Sequence, residues 1–162
     1  MRIAWGVFRK NQELFREVFQ HAPFGLSVTG PDLRFVRVNP ELCKILGYTE
    51  AEILKVRWPS LLHPEDREFL VARKERLERQ NGGYLEGEAR CIHSSGETVW
   101  VRLRTCISKD RHGNPAYYVS HVEDITERKR AEQMLQESED RFRNIADTCP
   151  AMMWVTDAAG EV

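Results

Sequence analysis

Val122-Glu-Asp-Ile-Thr-Glu-Arg-Lys-Arg-Ala-Glu-Gln-Met-Leu-Gln-Glu-Ser-Glu-Asp-Arg-Phe-Arg143 changes period partway along its length. Its first residues close a strand-like run. From Arg128 onward, the series Arg128, Ala131, Leu135, Ser138, Phe142, Ile145 steps by three and four. That spacing is the a/d seam of a helix that pairs with another helix. A strand running directly into such a helix joins a sheet to a transmitter. Asp124 or Thr126 can cap the helix start. The seam is weak, because an Arg, an Ala and a Ser occupy core slots. It predicts marginal pairing of two chains through Ala131, Leu135 and Phe142, as suits a helix that shifts.

Upstream of this junction the pattern is β. Tyr84–His93, Thr98–Lys109 and Ala116–Ile125 read as three strands, joined at Ser94–Glu97 and at Asp110–Pro115. In the middle strand Val99, Val101, Leu103, Thr105 and Ile107 alternate with Trp100, Arg102, Arg104 and Cys106. Such alternation gives one buried and one exposed face. Further upstream, Gly25–Thr29 and Leu33–Val38 flank the turn signal Gly30-Pro31-Asp32. Asn39-Pro40-Glu41 is a helix start, with Asn as N-cap and Pro in the first turn. Gly47 is the matching stop. Thr49–Glu52 is a capping box for a second short helix. Pro64 to about Gln80 reads as a longer helix. The predicted fold class is α+β: a five-stranded antiparallel sheet with helices on one face.

The chain then starts over. Leu14-Phe15-Arg16-Glu17-Val18 is echoed by Arg141-Phe142-Arg143-Asn144-Ile145. Phe15 to Phe142, Pro23 to Pro150 and Thr29 to Thr156 share one offset of 127 residues. A constant offset this long is a domain duplication rather than a solenoid. The expected organisation is an N-terminal amphipathic helix over 1–21, a sensor domain over 22–126, a linker helix over 127–147, and the opening of a second domain over 148–162.

Bulk properties narrow the function. Lys+Arg 24 against Asp+Glu 25 gives a net charge of −1, so no global field favours nucleic acid or an anionic membrane. No apolar run approaches the ~20 residues of a membrane span. Met1–Lys10 is too short for a signal peptide and has no cleavage site. A cytoplasmic location is expected, with membrane anchoring of a longer parent left open. Cys43, Cys91, Cys106 and Cys149 lack CxxC spacing and read as reduced packing thiols. Cys91 and His93 share a strand face, but no third ligand stands at zinc-like spacing, and no metal site is expected. Glycine-loop and phosphoacceptor-histidine patterns are absent, so the chain is read as non-enzymatic.

Taken together, the first hairpin, Asn39-Pro-Glu-Leu-Cys-Lys-Ile-Leu-Gly-Tyr48, Leu62-His-Pro-Glu-Asp-Arg67, Ser95-Gly-Glu-Thr-Val-Trp-Val101 and Asp124-Ile-Thr-Glu-Arg-Lys129 resemble a PAS domain with its C-terminal PAC segment. The resemblance covers roughly residues 11–130, with the PAC segment at about 84–126. The echo at 142–162 is similar to the start of a second PAS domain. The resemblance implies a ligand cavity between the inner sheet face and the helices. It places Cys43, Leu46, Trp58, Leu61, Phe69, Ala89, Cys91, Val101 and Val119 near that cavity, and it implies solvent-side salt bridges of Glu88 and Arg90 with Arg102 or Arg104. The same apolar pattern also fits a filled core.

The cofactor is left unknown. Cys43 lies outside the Asn-Cys-Arg-Phe-Leu-Gln context of flavin photosensors, and the 64–80 helix has no axial histidine for haem past His63 at its cap. Both groups are therefore disfavoured. The resemblance implies a sensory module in a sensor histidine kinase or a cyclic-di-GMP enzyme. Its partners would be a second copy, downstream domains of the same polypeptide and a possible small ligand. Asp124, Ile125 and Thr126 are the expected relay. Leu14, Phe15, Val18 and Phe19 supply a helical apolar face for pairing. The competing reading is a ligand-free dimerisation module that docks through Trp100, Tyr118 and that helix face.

Overall fold

The computed structural model describes residues 2–79 and 83–148, with side chains over 12–68, 72–79 and 83–147. Its contacts divide into a unit over 1–126 and a second over 127–162.

In the first unit, helix α1 (Arg2–His21) leads into the hairpin of β1 (Gly25–Thr29) and β2 (Phe35–Val38). The turn closes with Leu33 N–H donating to Gly30 O at 2.9 Å. Leu33 sits at φ 62, a left-handed conformation that cannot continue a strand. The second strand therefore begins at Phe35 and not at Leu33 as predicted.

Asn39 then fixes the next element. It is fully buried. Its Oδ1 accepts from Leu42 N–H at 3.0 Å, capping helix α2 (Pro40–Leu46), and from Leu26 N–H at 2.8 Å on β1. Its Nδ2 donates to Phe24 O at 2.9 Å. One side chain thus ties a helix start to the hairpin. Gly47 (φ 74) ends α2, and Thr49 with Glu52 closes the capping box of α3 (Glu50–Ile53).

After a 3-10 turn at Trp58–Leu61, a second one at Pro64–Asp66 precedes α4 (Arg67–Arg79). The predicted long helix thus begins as a tighter turn. That turn aims Asp66 at the edge strand β3 (Tyr84–Ile92), where Asp66 accepts from Arg90 N–H and from its guanidinium, both at 2.7 Å. Glu65 accepts a further bond from the same guanidinium at 2.8 Å. The clamp holds the start of α4 against β3.

Strands β4 (Thr98–Lys109) and β5 (Pro115–Asp124) complete an antiparallel sheet in the order β2-β1-β5-β4-β3. Its inner face, with Ala89, Cys91, Val101, Leu103 and Val122, packs on Leu42, Leu46, Ile53, Trp58, Leu61 and Leu62. On the outer face Arg104 bonds Glu86 at 3.2 Å, and Arg102 lies 3.8 Å from Glu88 and 3.5 Å from Glu123. Arg90 departs from the expected pairing. As a residue of the edge strand it meets the 64–66 turn, and its guanidinium stands 5.7 Å from the Trp100 ring centroid.

Helix α5 (Thr126–Thr148) falls in the second unit except for its first residue, and it includes the first residues of the sequence echo. Of the predicted second-domain opening over 148–162, residues 149–162 lie outside the described residues.

Asn39→Ala removes a cap and leaves buried backbone groups unpaired, so it should lower unfolding free energy by about 2–4 kcal/mol in urea titrations. The Asp66 carboxyl is held below its usual range, first by the Arg90 hydrogen bond. Its contribution is full above about pH 4 and is lost as pH falls through the lowered folded value. Asp66→Asn should therefore be less stable at neutral pH and show a flatter loss of stability on acidification.

Candidate functional site

Strand alternation and α4 together make a small chamber. On β1, Ser27 and Thr29 point to the inner face, and on the neighbouring β5 so do Tyr118 and Ser120. The register pairs Ser27 with Ser120 and Thr29 with Tyr118. Thr105 of β4 sits opposite Ser120, and their hydroxyls are 3.0 Å apart. These groups, with Leu33, Trp58, Leu85 and Leu103, face Arg73, Lys74 and Leu77 of α4 around a cavity of about 50 Å³. By a measure in which a water needs about 10–15 Å³, that is room for roughly four water-sized groups.

The charged wall is organised. Lys74 pairs with Glu78 at 2.9 Å and lies 5.8 Å from the Tyr118 ring centroid. Tyr118 donates its hydroxyl hydrogen bond to Glu78. Glu78 is held below the usual carboxylate range by the bonds from Tyr118 and Lys74, while burial raises the Tyr118 phenol. Burial lowers Arg73 from the ordinary guanidinium value. Arg73 can lie over β3 because position 87 has no side chain: a Cβ there would come 1.4 Å from Arg73 Nη1. Ser27 is 2% exposed and Thr29 5%.

The predicted pocket residues divide. Trp58 lines the cavity. Leu46, Leu61, Ala89, Cys91 and Val101 are buried in the packed core, with Cys43 half-buried against it. Phe69 lies in α4, and its side chain is outside the described residues. Val119 must be corrected: it is 36% exposed on the outer face, because Tyr118, Ser120 and Val122 take the inward positions of β5. Being one residue out of step puts a strand side chain on the wrong face. Burial pushes the Cys91 thiol up to about 12, which makes it a packing group.

The relay residues stand together. Ile125 N–H donates to Trp100 O at 2.9 Å, and Trp100 N–H donates to Thr126 Oγ1 at 3.0 Å. Asp124 Oδ1 accepts from Thr126 N–H at 2.8 Å, at the first residue of α5. On the expected pairing faces, Leu14, Phe15 and Val18 are exposed, as are Ala131, Leu135 and Phe142. Phe19 is not available for pairing. It is buried, and the Arg37 guanidinium is 5.3 Å from its ring centroid. Tyr118, expected at an exposed docking face, is buried over the cavity. Among the described residues no helix is long and apolar enough to cross a membrane, and no cluster of three His, Cys, Asp or Glu could hold a metal.

A five-stranded antiparallel sheet whose inner face meets short helices over a small chamber, and whose last strand ends at a helix cap, defines a PAS-type module. The chain belongs to the PAS-fold family, whose model matches residues 35–122. It is 28% identical over 128 residues to a probable diguanylate cyclase, DgcE, of Escherichia coli, covering 79% of this chain. It is 25% identical over 123 residues to the sensor histidine kinase TmoS of Ectopseudomonas mendocina, covering 76% of this chain. The chain spans 12% and 13% of the length of those two relatives. Among solved structures, a sensory box histidine kinase/response regulator from Burkholderia thailandensis is 26% identical with a TM-score of 0.61, covering 80% of this chain and 98% of that one. PAS modules of this kind are generally sensory and non-catalytic parts of multidomain signalling proteins.

Gly87→Ala should shift the flexible end of Arg73 while changing stability by no more than about 1 kcal/mol, since Ala fits a strand better than Gly does. Thermal unfolding checks the second half. A crystal structure of the variant, with Arg73 turned away from β3, checks the first.

Proposed function

We propose that this chain is a non-catalytic sensory module that reads the occupancy of its inner cavity and passes the result through Asp124–Thr126 into α5. One observation carries the reading: β5 contributes Tyr118 and Ser120 to the cavity wall and, four residues on, Asp124 to the helix cap. Strain placed on the inner face of β5 therefore reaches the helix start along a single strand. The relatives, a probable diguanylate cyclase and a sensor histidine kinase, support an output of that type in a longer parent.

In this reading α5 pairs with a second copy through Ala131, Leu135 and Phe142, and residues 148–162 open a second module of the same kind. The exposed Leu14, Phe15 and Val18 of α1 add to the pairing surface. The parent works in the cytoplasm, anchored or free. The cavity supports a small ligand.

The hinge can be tested directly. Thr126→Val should cost about 1 kcal/mol and strip hydrogen-exchange protection from the Trp100 amide, with the rest of the sheet unchanged. Asp124→Ala in a full-length parent should leave the module folded and make output insensitive to the stimulus. A collapse of thermal stability would assign Asp124 a purely structural role.

A further inference from the structure

The chamber walls specify a chemistry as well as a size. Ser27, Ser120 and Thr105 stand in one row across β1, β5 and β4, since Ser27 pairs with Ser120 and Ser120 with Thr105. Thr29, the next inward residue of β1, adds a fourth hydroxyl to the same space. The Thr105 and Ser120 hydroxyls are 3.0 Å apart, so one O–H of the pair is spent on the other and the second is not. Leu33, Trp58 and Leu103 supply an apolar side. The α4 wall carries both signs of charge, and both of its cations are engaged. Glu78 holds Lys74 at 2.9 Å and accepts from Tyr118, and Arg73 has an interaction of its own within the protein. An ion of either sign entering the chamber would therefore face its like across the wall and give up its water for no open counter-charge.

We propose that the chamber binds a short uncharged alcohol, of the size of ethanol or propan-1-ol, with its hydroxyl on the Ser27–Ser120–Thr105 row and its alkyl end against Trp58 and Leu103. A hydroxyl both donates and accepts, so it completes a row of hydroxyls whichever way their hydrogens point. Room for roughly four water-sized groups admits these alcohols and excludes longer chains. A hydrocarbon of the same size would cover the row and leave a buried donor unpaired. Water alone could fill the volume, but a buried water needs about two to four polar partners, and the Leu33 and Leu103 side chains offer none. The position also bears on signalling, since Ser120 belongs both to the row and to β5.

This assignment rests on the cavity being the sensory site, and one experiment separates the two claims. The purified chain is titrated with ethanol and propan-1-ol while its amide NMR shifts are followed. Sodium propionate, propylammonium chloride and hexan-1-ol are the controls for charge and size. The expected result is saturable shifts at Ser27, Thr105 and Ser120 with a short alcohol, at about millimolar concentration, and no saturable shifts there with any control. Affinity should fall about fivefold in Ser120→Ala or in Ser27→Ala, with folding of each verified by thermal melting. Saturable binding of propionate or propylammonium at these residues, equal binding of hexan-1-ol, unchanged affinity in both variants, or no saturation by either short alcohol overturns the ligand class. Alcohol binding that leaves the shifts at 124–126 unchanged upholds the ligand class and overturns the relay.

Discussion

Strand β5 is hydrogen-bonded along both edges, to β1 on one side and β4 on the other, and every other part of the module is placed relative to it. It is the last of the five described strands, yet it lies in the middle of the sheet. The hairpin of β1 and β2 therefore has no sheet to join until β5 arrives between it and β4. The interior is defined by the inward residues of this one strand, Tyr118, Ser120 and Val122. Because successive strand residues face opposite ways, its register is fixed on both sides at once. A slip would put Val119 inside and Val122 outside, exposing a buried Val and leaving an exposed one in the core.

The helices reach that sheet through few, specific ties. Asn39 links the start of α2 to the hairpin, and Asp66 with Glu65 links the approach to α4 to Arg90. Both ties are polar and both act at element starts, where backbone groups would otherwise be unpaired. The apolar contacts then fill the half of the interior under α2 and α3. Under α4 the inward set mixes Leu85 and Leu103 with Tyr118 and the short hydroxyl side chains Ser27, Thr29, Thr105 and Ser120. Those short side chains leave the chamber, and Gly87 makes room for Arg73.

Much of this was legible in the sequence. Asn39-Pro40, Gly47 and Thr49–Glu52 are local signals that act through their own backbone, so their helix limits emerged as read. Strand alternation located the sheet, and it already placed Thr105 with the inward set. The cavity was not legible, for a physical reason. Its polar residues come from β1, β4, β5 and α4, and only register across strands brings Ser27 beside Ser120. Arg73 and Lys74 belong to a helix so charged that no position stands out. The resemblance-based choice of Val119 failed by one residue, the smallest error that reverses a strand's faces. Arg90 was misassigned because the 64–66 turn, far away in sequence, supplies a closer carboxylate than the outer-face ladder does.

The energetics set what the proposed relay requires. Two hinge hydrogen bonds, Thr126 N–H to Asp124 and Trp100 N–H to Thr126, are worth about 1 kcal/mol each. Losing or gaining both would change the population of the capped helix start by roughly thirtyfold. A ligand can move that equilibrium only by the difference in its affinity for the two states. A ligand of about four non-hydrogen atoms can reach at most about 1.5 kcal/mol per atom. About 2 kcal/mol of differential binding is thus within the reach of a very small ligand, provided its contacts fall on the strand that moves. The chamber meets that condition through Tyr118 and Ser120 of β5. Contacts made only to α4 or to the hairpin would bind as tightly and leave the hinge unbiased.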